Sequence, residues 1–440
     1  MKKFHVLATA LAAAAFLSGC GGNDAGDQSP RVAFTQMVNF GDSLSDVGTY
    51  KTAIIGANGG GHYSSNGDLS SSGLLYTNWT EYLAATLHLT TQPCAAETGL
   101  ASVGQLAFLA QATVDSATCL SYAQGGSRVT NPYGPGNAYL YTQYGSSSGQ
   151  LGQLTKPVHD QIASYLAAHT AFSDSQIITV LAGGNDLFIN RALTVDAQTQ
   201  AVLAAEAQGQ ITPAAAAAQI AGFATAAIAQ MTQAGTDLAT LVTGKIIANG
   251  GTHVVVVNLP DVSLTPDAAI WLSAGNAGYY VDPIHPHLTL DMTNAFNAAL
   301  AAGLNVTTAN GKATSSIAQV AYVDAFTASD GQAANPSAYG LTNVTTPACK
   351  LQADAGQPPN ATQTGLTVPT SPTTTTFVPL ASSLFCTKTT LIATDTANVT
   401  ATDATGLLHY LYADTVHPTP YGYRLLAELV GEQIAIKGWL

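Results

Sequence analysis

VAFTQMVNFGDSLSD, residues 32–46, decides how this chain begins to fold. Val32 to Phe40 is a largely apolar, β-rich run that ends at Gly41. A continuous run of this kind suits a strand in a parallel sheet covered on both faces. Asp42-Ser43-Leu44 follows at once, so Ser43 is expected on a sharp turn that opens a helix. Its hydroxyl would then be exposed at the sheet edge, near the positive end of the helix dipole. A serine so placed is a candidate nucleophile. The plainer alternative is that Ser43 or Ser45 caps a helix. The stretch is not the G-x-S-x-G elbow, because no glycine stands two residues after Ser43.

The pattern of an apolar run ending in turn residues recurs along the chain. Ile177–Ala182 (IITVLA) runs into Gly183-Gly184, Val254–Leu259 (VVVVNL) into Pro260-Asp261, and Val320–Val323 into Asp324. Between these runs, apolar residues recur at helical spacing over Trp79–Leu87, Val158–Ala168, Ala214–Leu241, Leu290–Ala302 and Tyr421–Ile436. Strands alternating with helices imply βαβ units. The expected fold class is α/β, a three-layer α/β/α sandwich around a central parallel sheet. Ligands on such sheets bind at the carboxyl ends of the strands. Two stretches break the alternation: 125–156 is rich in Gly, Ser, Tyr and Pro, and 331–390 in Thr and Pro. Both are expected to be long loops, which in enzymes are often functional.

Candidate chemistry gathers at the predicted strand ends. Asp414-Thr415-Val416-His417, before a proline-bounded turn, supplies a base and a carboxylate able to orient it. Gly183-Gly184-Asn185-Asp186 follows a buried strand, and the Asn185 amide is a donor for an oxyanion. Gly125-Gly126-Ser127 would let backbone N–H groups approach a ligand, with either glycine in the key position. Each motif alone has an ordinary reading as a turn or loop. Among rival histidines, His253 precedes a buried strand, while His285 and His287 flank Pro286 with Asp282 nearby and are the strongest competitors as a base or metal site.

Composition narrows the setting. Of 440 residues, 47% are hydrophobic, 9% are charged, and the formal net charge is -13. An acidic chain repels phosphate backbones, so nucleic acid is not an expected partner. The Ala-rich stretch 213–231 is punctuated by Gln219, Gly222, Thr225 and Gln230 and suits a buried helix better than a membrane span. Lys2-Lys3, the apolar run Val6–Leu17 and the small residues before Cys20 form an export signal over residues 1–19. Residues 20–35 suit a flexible tether, and 36–440 the folded domain. Four further cysteines, Cys94, Cys119, Cys349 and Cys386, should be bridged in an oxidising compartment. Sequence alone allows three pairings, of which the local one, Cys94–Cys119 and Cys349–Cys386, is the simplest. None has zinc-ligand spacing, so no metal is expected.

Taken together, Gly-Asp-Ser43-Leu, Gly126, Gly-Gly-Asn185-Asp and Asp414-x-x-His417 resemble the GDSL, or SGNH, family of serine esterases and lipases. All four blocks stand in the family's order, over roughly residues 36–437. The stretches FNAALAAGL (296–304) and NPSAYGLTNVTTPAC (335–349) resemble bacterial members with a long C-terminal half. The resemblance implies a flavodoxin-like fold, Ser43 as nucleophile, His417 as base and Asp414 as its orienter. It implies an oxyanion hole from the Ser43 and Gly126 N–H groups and the Asn185 amide, an ester or lipid substrate, and no cofactor. Phospholipase, acyltransferase and glycan O-acetylesterase chemistry would suit the same site. A reading of another class is a catalytically idle surface lipoprotein that acts as a binding module. Leu17-Ser18-Gly19-Cys20 resembles the bacterial lipoprotein cleavage box, so Cys20 is expected to be lipidated and to anchor an exported protein at the outer membrane or cell surface of a Gram-negative bacterium. The stretch after His417 is too short for the autotransporter barrel some relatives carry. Oligomeric state is not legible.

Overall fold

The structure is a computed structural model that describes residues 32–67, 75–273, 287–351, 365–371, 374–387, 390–391 and 409–440. Its centre is a four-stranded parallel sheet: β1 (Gln36–Gly41), β2 (Gln176–Leu181), β3 (Val254–Val257) and β4 (Val320–Val323). The strands lie side by side in chain order, with Val38 paired to Ile178, Val180 to Val256 and Val256 to Tyr322. On the free side of β1, residues 120–124 run parallel without forming a regular strand. The Asn39 N–H donates to Leu120 O over 3.0 Å and the Tyr122 N–H to Asn39 O over 2.8 Å. This edge segment carries the chain to Gly125 and Gly126.

Period-two alternation divides the strands between two cores. Val38, Phe40, Ile178, Val180, Val254 and Val256 face α2 (Val158–His169), α4 (Pro213–Leu241) and α5 (Leu288–Gly303). Met37, Ile177, Leu181, Val255 and Val257 face α1 (Trp79–Thr86) and α6 (Pro420–Ile436). Burial on both faces explains why these strands read as unbroken apolar runs. Among the helices so far unplaced, α3 (Gly184–Ile189) begins at the end of β2 and continues as a π-helical segment, Asn190–Asp196. Helix α4, with its continuation to Asn249, is long and apolar enough to cross a membrane by length and composition. Here its stripe of Ala224, Ala227, Met231 and Leu238 packs on the sheet.

Three expectations need correction. No helix opens at Ser43: the chain turns through 42–50, and the first helical residues are Ala53–Ala57. The cause is local, since the Asp46 carboxylate accepts the Gly48 and Thr49 N–H groups at 2.9 and 2.8 Å and redirects the backbone. The stretch 125–156 contains a helix, Ala138–Tyr144, and a 3₁₀ turn, Ser147–Leu151. Within 331–390, Gly365–Ser371 and Thr374–Pro379 pair as an antiparallel hairpin, consistent with the strand preference of Thr and Val. The disulfides are the local pair, Cys94–Cys119 and Cys349–Cys386. Cys20, most of the 20–35 tether, Asp282 and His285 lie outside the described residues.

Candidate active site

Ser43 follows β1 by two residues, and the geometry of that strand end is fixed from both sides. The Gly41 N–H donates to Gln161 Oε1 and Gln161 Nε2 donates back to Gly41 O, each over 2.8 Å. Gly41 has φ +152°, and a Cβ there would collide with the carbonyl of Leu181. Glycine is therefore required where β1 turns out of the sheet. Ser43 is buried but lines a cavity of about 470 Å³.

His417 reaches the same cavity from the loop before α6. Its Nε2 lies 2.7 Å from Ser43 Oγ, and its Nδ1 lies 2.9 and 2.8 Å from Asp414 Oδ1 and Oδ2. Asp414 also accepts backbone N–H groups from Val416, His417 and Ser383, at 2.9, 2.8 and 2.8 Å. Burial pushes the Asp414 carboxyl up, but the adjacent imidazole and these hydrogen bonds outweigh it and hold the group well below the usual carboxylate range. An ionised Asp414 beside Nδ1 can hold a proton there, which would leave Nε2 able to accept one from Ser43.

Asn185 and Gly126 meet across the cavity through a second set of bonds. Asn185 Nδ2 donates to Ser127 O over 2.9 Å, which orients the amide and leaves its other N–H available. Next to it, Asp186 accepts from Arg128 Nε at 2.9 Å and from the Val129 N–H at 3.0 Å. The GGND turn thus clasps residues 127–129 and fixes Gly126 relative to Asn185. The register of the glycine pair is resolved by the same contacts. The Gly125 N–H donates to Asp46 Oδ2 over 2.8 Å. Gly126, at φ +81°, lines the cavity, and its N–H and that of Ser43 have no hydrogen-bond acceptor among the described residues.

Residues outside the motifs complete the site. The Tyr63 ring lies against the His417 imidazole, centroids 4.7 Å apart, and fills the space a Cβ on Gly125 would need. Its hydroxyl contacts Gln153 Nε2, and Gln153 packs beside Gly126. Arg191 lines another wall, paired with Asp267. None of these was flagged in the sequence. Tyr63 and Gln153 lack a local signature. Only the seven-residue helical offset of Arg191 from Gly184 could single it out. The rival histidines among the described residues are elsewhere: His253 packs edge-on to Phe34 and Trp439, and His287 precedes α5. Among the described residues, no group of His, Cys, Asp and Glu could hold a metal ion.

A nucleophile contacted by a base, a base oriented by an ionised carboxylate, and unengaged N–H donors beside them can stabilise a tetrahedral oxyanion. A family model described as GDSL-like Lipase/Acylhydrolase matches residues 37–430. No curated protein matches the chain.

Proposed function

This chain belongs to the GDSL-like lipase/acylhydrolase family, and from that premise we propose that it is a serine esterase that cleaves carboxylic esters through an acyl-enzyme on Ser43. The observation that carries this reading is the 2.7 Å contact between Ser43 Oγ and His417 Nε2, backed by Asp414. His417 takes the Ser43 proton as Oγ attacks the ester carbonyl. The negative charge that develops on the carbonyl oxygen is held by the N–H groups of Ser43 and Gly126 and by the free N–H of Asn185. His417 returns the proton to the leaving alcohol, and water then repeats the sequence on the acyl group. Leu106, Leu151, Leu380 and Phe385 line one wall of the cavity, suited to an acyl chain.

The test is hydrolysis of a chain-length series of p-nitrophenyl esters together with fluorophosphonate labelling. Ser43→Ala should abolish both labelling and turnover, a loss on the order of 10⁶ in kcat by analogy with other serine hydrolases. Near-normal activity in that variant would overturn the reading. Export and lipidation at Cys20 are part of the same proposal, supported by the lipobox-like stretch and by the two disulfides. Cys20→Ser should release the protein from membranes, and an unmodified Cys20 in mass spectra would reject the anchor.

A further inference from the structure

Opposite in character to the leucine wall of the cavity is a wall built around a buried cation. Gly184, Phe188 and Arg191 recur at spacings of four and three along α3 and its π-helical continuation, and all three line the cavity. One face of the helix that carries Asn185 therefore looks onto the reacting groups. π-Helical turns are rare and often occur at functional sites. Arg191 as a residue is 7% exposed. It lies 5.7 Å from the centroid of the Phe188 ring and 5.0 Å from that of Trp271. Nη2 pairs with Asp267 Oδ2, and Asp267 also lines the cavity. Nη1 is buried and has no hydrogen-bond acceptor among the described residues.

Other buried side-chain atoms among the described residues, Arg424 Nε included, also lack a hydrogen-bond partner, but of these only Arg191 belongs to a residue that lines the cavity. Guanidinium N–H groups removed from water are normally paired, and an orphan on a residue that lines a cleft points to a function. Charge decides the chemistry of the missing acceptor. Asp267 already neutralises Arg191, and a second carboxylate, Asp196, accepts from Trp271 Nε1 at 3.1 and 3.2 Å close by. A carboxylate or phosphate on the substrate would face the Asp267 carboxylate, which already offsets the cation, with Asp196 near both. A hydroxyl suits the pair better, since it can accept from Arg191 and donate to Asp267. We propose that Arg191 and Asp267 form a polar subsite for a hydroxyl on the alcohol portion of the ester, so that the preferred substrates are esters of a polyol. This rests on the esterase reading and deepens it: the leucine wall takes the acyl chain, and the Arg191 wall selects the leaving alcohol. A site built to bond a substrate hydroxyl discriminates against an analogue lacking it, because its own polar groups are left unpaired.

The test uses three esters that share whichever acyl group the chain-length series favours: an ethyl ester, a glycerol monoester and a sugar monoester. Wild-type enzyme should prefer at least one hydroxylated ester over the ethyl ester in kcat/KM, and the glycerol and sugar arms identify the source of the hydroxyl. Arg191→Gln should reduce that preference by about 10- to 100-fold, the range expected for one lost substrate hydrogen bond. Arg191→Lys keeps a cation beside Asp267 but has no second fork nitrogen, and it should lose preference too. It carries the test if the Gln variant fails to fold. Equal preference in wild type, or preference retained in a folded variant, overturns the subsite and leaves the esterase reading standing. A wild-type enzyme that cleaves no ester overturns that reading, and the subsite falls with it.

Discussion

The backbone N–H of Ser383 donates to Asp414 Oδ2 over 2.8 Å. Three residues after Ser383 stands Cys386, bridged to Cys349. Cys349 in turn donates its N–H to Ala413 O, the residue before Asp414, over 2.9 Å. The disulfide therefore joins the two chain segments that hold the carboxylate, and Asn66 Nδ2 stitches them further by donating to Ser383 O and Cys386 O at 3.0 and 2.9 Å.

Breaking that bridge should impair catalysis as well as stability. For a bridge spanning 37 residues, chain-entropy models give about 4 kcal/mol of stabilisation. Cys349→Ala/Cys386→Ala should melt lower and, in the fraction still folded, show reduced kcat with little change in KM. Loss of Cys94–Cys119 should lower the melting temperature without that kcat deficit. If both pairs affect kcat alike at a temperature where both variants are folded, the link from Cys386 to Asp414 is not functional.

Tyr63 touches both the base and the glycine loop, so it should act through position rather than chemistry. Tyr63→Phe keeps the ring and should stay close to wild type in kcat. Tyr63→Ala empties the space beside His417, and a displacement of about 1 Å at a reacting group can cost on the order of 10²-fold in rate. The loss in the Ala variant should fall on kcat with KM little changed, because a displaced imidazole acts on the reacting groups rather than on substrate binding. An unchanged kcat with only a lower melting temperature would assign Tyr63 a purely structural part.

Asn185 offers the site's side-chain donor, and Asn185→Ala should lower kcat by roughly 10²–10³ while KM changes little. Asn185→Asp should be worse, since a carboxylate would face the developing oxyanion. Because Asn185 also bonds Ser127 O, melting temperature must be read on the same proteins. A fall in melting temperature with kcat intact would reduce Asn185 to a turn-forming role.

Asp42 gives stability a pH dependence of known sign. Burial pushes its carboxyl from 3.8 up to about 7, against the Leu44 N–H and the charge of His417. In the unfolded chain the group ionises near its ordinary value, whereas the folded chain keeps the proton until about pH 7. The folded state therefore binds more protons between these limits, and Asp42 makes stability fall as pH rises from about 4 to about 7. Asp42→Asn should flatten that part of the melting-temperature curve. Asp414 has the opposite sign: its depressed carboxyl contributes stability that is lost as pH falls below its ordinary 3.8. Parallel curves for wild type and Asp42→Asn from pH 4 to 8 would show that Asp42 is not the group responsible.

Much of this molecule is written locally. The Val and Ile runs of β1 to β4 declare burial on both faces, and helical spacing declares α1, α2 and α4 to α6, because periodicity records which side of an element meets the core. Residue type and order likewise mark Ser43, Asn185, Asp414 and His417 as candidates. What periodicity cannot record is which loops meet. Ser43 and His417 are 374 residues apart in sequence, Asp414 and Ser383 are 31, and Arg191 and Asp267 are 76. Their contacts exist because strand order and the disulfide bring distant chain ends together at one edge of the sheet. The turn after Ser43, the placing of Gly126 rather than Gly125 at the cavity, the packing of Tyr63 against His417 and the unpaired nitrogen of Arg191 all follow from that assembly. Each depends on space left by side chains remote in sequence, and only the packed tertiary structure fixes that space.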